Sequence, residues 1–536
     1  MYDDVTNRVS PRNKLLEKGV GLTLQLAVIR SLTFEGALMS IYCRRVIEIF
    51  SLAMSCVPSL YAQSVTLANS PVSLPGPTLL WQQTVQNTGS WYNDYMPVDL
   101  KVDSSNNIYV LTIQGGIASG PQNADIVLIK YDQRGTLLWQ TEYDGGYSGS
   151  GVASYDIPTE MALDSKGNIL VTGTVRSFLY ESNTPTYDDY ILIKYSSSGD
   201  QLWAAQYRGT GTSTDEPMGL AIDSLDNIYV TGTSWNLNTQ FDYATLKYSP
   251  DGELLWSSAI DSSANIDVAS AIQVNFDGVF VTGYSYFAIP PFQTVFNVDY
   301  LTVKLDSESG AVLWSRRHDP SQGFTDIATE MVLDKNGNII VSGNAYGIGG
   351  AYNLAYATVK YDSDGNEIWT ARYDGPASSS GTDDDIPFDI AADSDDNVIV
   401  TGSSWNTTFP EIATIQYDGE SGGQNWIVRT KGKGANNTSA TIRNGLLVGP
   451  DDSVYVAGWA QVPGTTSGTT NFLIEKYSAQ GGTLWSIDYN SAGDYHDEAT
   501  QIALDSRGRI VVAGQGFLTP PPGYKGFIVQ KYRDNL

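Results

Sequence analysis

Three short patterns recur eight times each along this chain, in one order and at nearly even spacing, and that periodicity limits the fold more than any other property. The first is a turn leading into a strand, as in DSSNNIYVL from Asp103, DSKGNILVTG from Asp164, DSLDNIYVTG from Asp223 and DKNGNIIVSG from Asp334. The second is a strand ending in Lys-Tyr or a near variant, at Lys130, Lys194, Lys247, Lys304, Lys360, Gln416, Lys476 and Lys531. The third carries a tryptophan, at Trp81, Trp139, Trp203, Trp256, Trp314, Trp369, Trp426 and Trp485. From Trp81 to Trp485 is 404 residues over seven intervals, about 58 each.

A unit of that length, built from β-branched and aromatic runs bounded by Asp/Gly turns, holds about four strands, here called a to d. Such a sheet cannot bury both faces alone, but sheets packed radially around an axis can. The fold expected is therefore all-β, a single β-propeller of four-stranded blades over residues 78–536. The first landmark is a lone strand d at Trp81, and the last unit stops after strand c at Lys531. Pairing the two, about 450 residues apart, completes a last blade and hides two open edges. Eight blades follow, with seven plus a stray unit as the alternative.

The pattern D-x-x-G-N-I-Y-V-T-G followed by D-Y-x-x-x-K-Y resembles the SBBP-type β-propeller repeats of secreted and cell-surface bacterial proteins. The resemblance spans nearly the whole chain from residue 78. It implies a scaffold for binding rather than one shared reaction. Locally, DSESGAVLW ending at Trp314 and DGESGGQNW ending at Trp426 are similar to the tryptophan motifs of quinoprotein propellers. A secreted enzyme, either a quinoprotein-like oxidoreductase or a polysaccharide lyase or hydrolase, is thus the alternative function. Adjacent cysteines expected of the quinone enzymes are missing, and a lyase would want a basic cluster that this composition disfavours.

The front of the chain differs. Residues 1–62 lack the repeat, and from Met39 they read as a secretory signal: a basic patch at Arg44 and Arg45, an apolar run interrupted by Glu48, and a small residue at Ala62 where cleavage is expected. Residues 63–77, with Pro71, Pro75 and Pro77, form a linker. Both cysteines, Cys43 and Cys56, precede Ala62, so the processed chain would carry no thiol, which fits an extracellular, cell-surface or periplasmic location. With 59 acidic and 31 basic residues the net charge is −28, which excludes nucleic acid and anionic lipid as natural partners. No membrane span is expected in the processed chain, which should act as a monomer.

Short, uniform a–b and c–d turns share one face of the disc, and longer, variable d–a and b–c loops share the other, where binding is expected. Two features cluster on that loop-rich face. An aspartate stands eight residues before the a–b turn position in six units, at Asp156, Asp215, Asp267, Asp326, Asp385 and Asp497, with Asp94 out of register and Thr441 in its place in the other two. A ring of them around the channel mouth would suit calcium, the only cofactor considered, while turn hydrogen bonding is the simpler role. Aromatic residues follow strand b, at Trp235, Trp405, Tyr286 and Trp459, with Tyr346 and Phe517 near equivalent places. Exposed rings beside polar groups suit a glycan or a surface protein.

No residues are assigned to catalysis. His318 occupies the place of Tyr143, Tyr207, Tyr373 and Tyr489 and reads as their structural substitute, whereas His496 has no nucleophile beside it in sequence. The calcium-loop-like DSDGNE from Asp362 and DSDDN from Asp393 fall where hairpin turns are required. The recurring lysine of strand c reads as a structural partner for a nearby acid.

Overall fold

The computed structural model describes residues 76–535 apart from 87–95, 117–121, 146–155, 178–186, 212, 238, 263–265, 290–291, 321–323, 347–353, 377–383, 407–409, 432–437, 441–444, 463–468, 493–495 and 519–524. The signal-like stretch from Met39 to Ala62, nearly all of the linker, Asp94 and Thr441 lie outside the described residues.

Eight antiparallel sheets account for every strand, and no helix occurs among the described residues. Blade 1 is formed by Met96–Val102, Ile108–Gly116, Gln122–Tyr131 and Leu137–Tyr143, hydrogen-bonded in the order a-b-c-d. Blades 2 to 6 repeat it, starting at Asp156, Glu216, Asp267, Asp326 and Ile386. In blade 7 the inner strand is broken into Thr438–Ala440 and Leu446–Val448, both paired with Val454–Gln461. Blade 8 takes Glu498–Leu504, Ile510–Phe517 and Lys525–Arg533 from the end of the chain and its outer strand, Thr78–Gln86, from the front. The expected closure is thereby realised, with Trp81 opposite Lys531 and Gln86 opposite Gly526.

Strands b and c read as nearly unbroken apolar runs because neighbouring blades cover both of their faces. The eight core clusters correspond to the eight blade interfaces: one joins Val110, Val127 and Ile129 to Val511, Phe527 and Val529, and the next joins Leu111 and Leu128 to Met161 and Val171. Stability thus lies between blades.

The three recurring patterns meet at those interfaces. Seven of the eight strand-d tryptophans donate the indole N–H to a carbonyl in the c–d turn of the following blade, as Trp139 does to Ser197 at 3.2 Å, Trp203 to Pro250 at 3.3 Å and Trp256 to Ser307 at 3.1 Å, whereas Trp485 donates to Asp534 Oδ1. The strand-c lysine of the same blade donates to the same carbonyl, at 2.8 Å for Lys130, 2.9 Å for Lys194 and 2.8 Å for Lys247. Under the ring sits the turn glycine in the left-handed region, where a Cβ on Gly252 (φ 87°) would stand 2.7 Å from Trp203 Cδ2. In the a–b turns Asp226, Asp396, Asp452 and Asn106 take that left-handed conformation themselves. Each is held by the preceding blade's turn, as when Ser165 donates N–H and O–H to the Asp226 carboxylate at 2.9 and 2.7 Å.

Glycine substitution separates strain from crowding. Gly508→Ala (φ 70°, nothing within 4 Å) is expected to cost only the left-handed penalty, about 1–2 kcal/mol. Gly252→Ala adds displacement of the tryptophan, about 1–3 kcal/mol more. Urea midpoints of the two variants measure the difference, and coincident midpoints would show that the ring does not press on the turn.

Candidate functional site

On the loop-rich face the two features singled out in the sequence prove to be joined. Asp215 accepts hydrogen bonds from the Gly209 N–H in the d–a loop (2.8 Å), from Ser234 Oγ (2.7 Å) and from the main-chain N–H of Trp235 (3.0 Å). Its own N–H bonds the Asp188 carbonyl of the preceding blade at 2.7 Å. Tyr346 N–H donates likewise to Asp326 at 3.2 Å, and Trp405 N–H to Asp385 at 3.1 Å. Asp156 accepts from Gly145 N–H at 2.6 Å, Asp267 from Ser262 N–H at 3.0 Å, and Asp497 from the main chain and hydroxyl of Ser491. Each of the six is fully buried at a blade interface, tying a loop to the strands beneath it. Burial, partly offset by those donors, pushes Asp385 up to about 6, and it raises Asp215 and Asp267 as well.

The aromatic positions are displayed by the same loops. Trp235, Tyr286, Tyr346 and Trp405 each stand three residues beyond the strand-b glycine on blades 3, 4, 5 and 6, forming an arc over four consecutive blades. All four are half-buried. The Trp235 ring packs edge-on against Phe241, centroids 4.8 Å apart. Phe517 shares the register on blade 8, but Trp459 stands one residue after Gly458 and so lies two places short of it.

The structure also shows what the central channel does. Asp99 Oδ2 accepts Met161 N–H at 2.9 Å, Glu160 Oε2 accepts Leu220 N–H at 2.8 Å, and Asp389 Oδ2 accepts Leu446 N–H at 2.9 Å, each reaching the inner strand of the next blade. Lys101 Nζ lies 3.0 Å from Asp99 Oδ1. Burial would lower its ammonium, but Asp99, Glu160 and Asp389 outweigh burial and hold it above its ordinary value. These channel residues strap blades together. On the turn-rich face a cleft of about 590 Å³ opens between blades 5 and 6, lined by Lys335, Asn338, Asp395, Asp396, Asp418 and Glu420. Lys335 is engaged there with the Ser394 carbonyl at 2.8 Å and with Asp396 at 3.3 Å.

His318 packs on Tyr300 with centroids 5.8 Å apart, as Tyr207 packs on Tyr190 (5.7 Å) and Tyr373 on Tyr356 (5.3 Å). Burial lowers its pKa. His496 approaches Thr470 Oγ1 at 3.5 Å. The calcium-like fragments are turns: Asp362 Oδ1 accepts the N–H groups of Asp364 and Asn366, and Asp393 Oδ1 those of Asp395 and Asn397.

Residues that the sequence did not single out stand beside the buried aspartates. Strand c carries an acid five residues before its lysine position in five blades, at Asp125, Asp189, Asp242, Asp299 and Glu411, and the residue just after strand d lies beside it. In three interfaces these bring carboxylate oxygens within 4.8 Å of one another: Asp125, Asp144 and Asp156; Asp242, Asp261 and Asp267; Asp299, Asp319 and Asp326. The signal was available as an acid five residues before the strand-c lysine and a second acid five residues after the strand-d tryptophan.

The chain is similar to several known proteins. The family model of the SBBP β-propeller repeat matches residues 202–238. An uncharacterised WD repeat-containing protein of Acanthamoeba polyphaga mimivirus is 22% identical over 84% of this chain and 37% of its own length. The regulatory protein FlaEY of Caulobacter vibrioides is 28% identical over 27% of this chain and 15% of its own. The chain therefore spans well under half the length of these relatives. Among solved structures, the Dos1 propeller is 11% identical with a TM-score of 0.48, covering 85% of this chain and 95% of that one. BamB from Moraxella catarrhalis is 12% identical with a TM-score of 0.38, covering 82% and 97%. No helix among the described residues is long and apolar enough to cross a membrane. Eight antiparallel blades closed by the first strand, together with the matched repeat, make this chain a β-propeller repeat protein.

Proposed function

We propose that the protein is an exported, non-enzymatic binding scaffold that holds a surface protein or a glycan on its loop-rich face. The observation that carries this reading is the arc of Trp235, Tyr286, Tyr346 and Trp405, four half-buried aromatic residues at one register on neighbouring blades. Half-burial fixes the rings at little entropic cost on binding while leaving a face for stacking or apolar contact. The buried aspartates support it by holding the loops that present the rings. Export rests on the signal-like stretch before Ala62 and on the lack of cysteine after Cys56. Completion of the last blade by the first strand, which leaves only the short outer edges of the blades unpaired, supports action as a monomer.

The test is a glycan array and a panel of surface proteins probed with wild type and with Trp235→Ala/Trp405→Ala. Retention is expected to fall about 30-fold or more in the double variant, the effect of losing an anchoring aromatic residue. Equal retention by both proteins, or none by either, would overturn the reading.

A further inference from the structure

Repetition supplies its own controls at the blade interfaces. Between blades 2 and 3 the strand-c acid Asp189 is met by Arg208 Nη2 at 2.7 Å. Between blades 4 and 5 Arg317 Nε pairs with Asp299, and between blades 6 and 7 Arg429 Nε lies 3.0 Å from Glu411 Oε2. A guanidinium thus balances the acid at three interfaces. The arginine comes either three or five residues after the strand-d tryptophan.

Interfaces 1/2 and 3/4 carry no base at either place. The residues there are Glu142 and Asp144 in the first, and Ala259 and Asp261 in the second. Asp125, Asp144 and Asp156 converge at one, Asp242, Asp261 and Asp267 at the other, each group offering three oxygens within 4.8 Å of one another. A second observation points to a ligand. Asp125 Oδ1, Asp156 Oδ1 and Asp242 Oδ1 are buried oxygens without a hydrogen-bond partner. Asp156 is 0% exposed and Asp242 is 2% exposed, so bulk solvent does not reach them. Their other oxygens are used: Asp156 Oδ2 takes Gly145 N–H at 2.6 Å, and Asp242 Oδ2 takes Thr239 Oγ1 and Asn236 Nδ2. A buried anionic oxygen facing further carboxylates costs several kcal/mol unless a proton or a cation compensates it.

We propose that interfaces 1/2 and 3/4 each bind one calcium ion, through Asp125, Asp144 and Asp156 at the first and Asp242, Asp261 and Asp267 at the second. Calcium accepts all-oxygen ligand sets at about 2.3–2.6 Å with tolerant geometry, so carboxylate oxygens sharing one ion stand up to about 5 Å apart. That matches both groups. Glu142, beside Asp125, adds a fourth carboxylate to the first site. Burial, with Glu142, Asp144 and Asp156, pushes Asp125 up to about 7, and burial pushes Asp156 up to about 7. The group of Asp299, Asp319 and Asp326 is excluded by the arginine already among its acids. The assignment does not depend on what the loop-rich face binds.

The full chain, stripped with chelator, is titrated with calcium by calorimetry and with terbium by luminescence. Two ions per chain are expected, with affinities in the range of about 10⁻⁵ to 10⁻³ M for such modest sites, and a melting temperature that rises on adding calcium. Asp144→Arg gives interface 1/2 the base that interface 2/3 carries at the same place, and is expected to leave one ion. Asp261→Arg does the same at interface 3/4, and the double variant binds none while still melting cooperatively in chelator. Should either arginine variant misfold, Asp144→Asn and Asp261→Asn are expected to weaken their sites at least tenfold. A wild type that takes up no calcium at millimolar concentration, or variants that still bind two ions, would overturn the assignment. Stoichiometry is read without any partner, so this failure is distinct from failure of the scaffold reading.

Discussion

Removing Thr78–Gln86 abolishes cooperative folding, whereas moving the same strand to the other end of the chain preserves it. The strand is paired to Lys525–Arg533 from Thr78 opposite Arg533 to Gln86 opposite Gly526, and its Trp81 and Val85 cover the core cluster that holds Phe527 and Val529. Trp81 also donates to the Gln133 carbonyl of blade 1 at 3.1 Å and lies over Gly135. Losing one buried tryptophan costs about 3–5 kcal/mol. The valine, the ladder and a newly bared edge add to it, and the sum reaches the 5–15 kcal/mol that hold a typical domain. A permutant beginning at Met96 with residues 76–86 appended after Leu536 restores every one of these contacts. Asn535 Nδ2 already bonds the Gly76 carbonyl at 2.7 Å and Thr78 Oγ1 at 2.9 Å, so a short linker suffices. Circular dichroism melting should place the permutant within a few degrees of wild type and show no transition for the deletion. A deletion that melts normally would mean that the closure is not what holds the ring.

Closure was legible in the sequence because each blade interface makes the same physical demand. At most interfaces an indole and a lysine reach the same carbonyl of the next turn and a glycine lets the ring lie flat, so residues such as Trp203, Lys194 and Gly252 recur as a set. A count of such residues is a count of blades. The site was less legible because its members come from three elements of two blades. Asp156 stood out by repetition, yet its neighbours Asp125 and Asp144 are informative only where an arginine fails to recur. Pairing of Asp215 with the Trp235 main chain was equally hidden, since nineteen residues separate positions that adjacent strands bring together. Trp459 misled because it follows its strand-b glycine, Gly458, by one residue where Trp235 and Trp405 follow theirs by three, a two-residue slip that similarity of residue type hides.

Lys531→Met is expected to destabilise the ring by about 3–5 kcal/mol, the cost of stranding a buried charge, whereas Lys531→Gln costs about 1 kcal/mol. Lys531 and Asp505 are fully buried side chains 2.8 Å apart, repeated as Lys194 with Asp164 at 2.9 Å and Lys360 with Asp334 at 2.8 Å. Blade 6 shows that a neutral donor can serve in the same place, because Gln416 Nε2 donates to Asp393 Oδ2 at 2.9 Å. Burial alone would raise the Asp505 carboxyl, but Lys531 and the N–H groups of Arg509 and Arg507 outweigh it, so it sits below its ordinary value of 3.8. A carboxyl depressed in the folded state stabilises above its unfolded pKa, and that contribution is lost as the pH falls through the folded value. Wild type should therefore lose stability only below about pH 4 from these pairs, with Asp164 and Asp334 acting in the same direction. In Lys531→Met the sign reverses for Asp505: without the ammonium, burial dominates, its pKa rises, and protonation relieves the penalty. The gap between Lys531→Met and wild type, measured by urea midpoints, should be widest near pH 7 and close as the pH approaches 4. A gap that stays constant across that range would mean that lost side-chain packing, not a stranded carboxylate, is what the substitution costs.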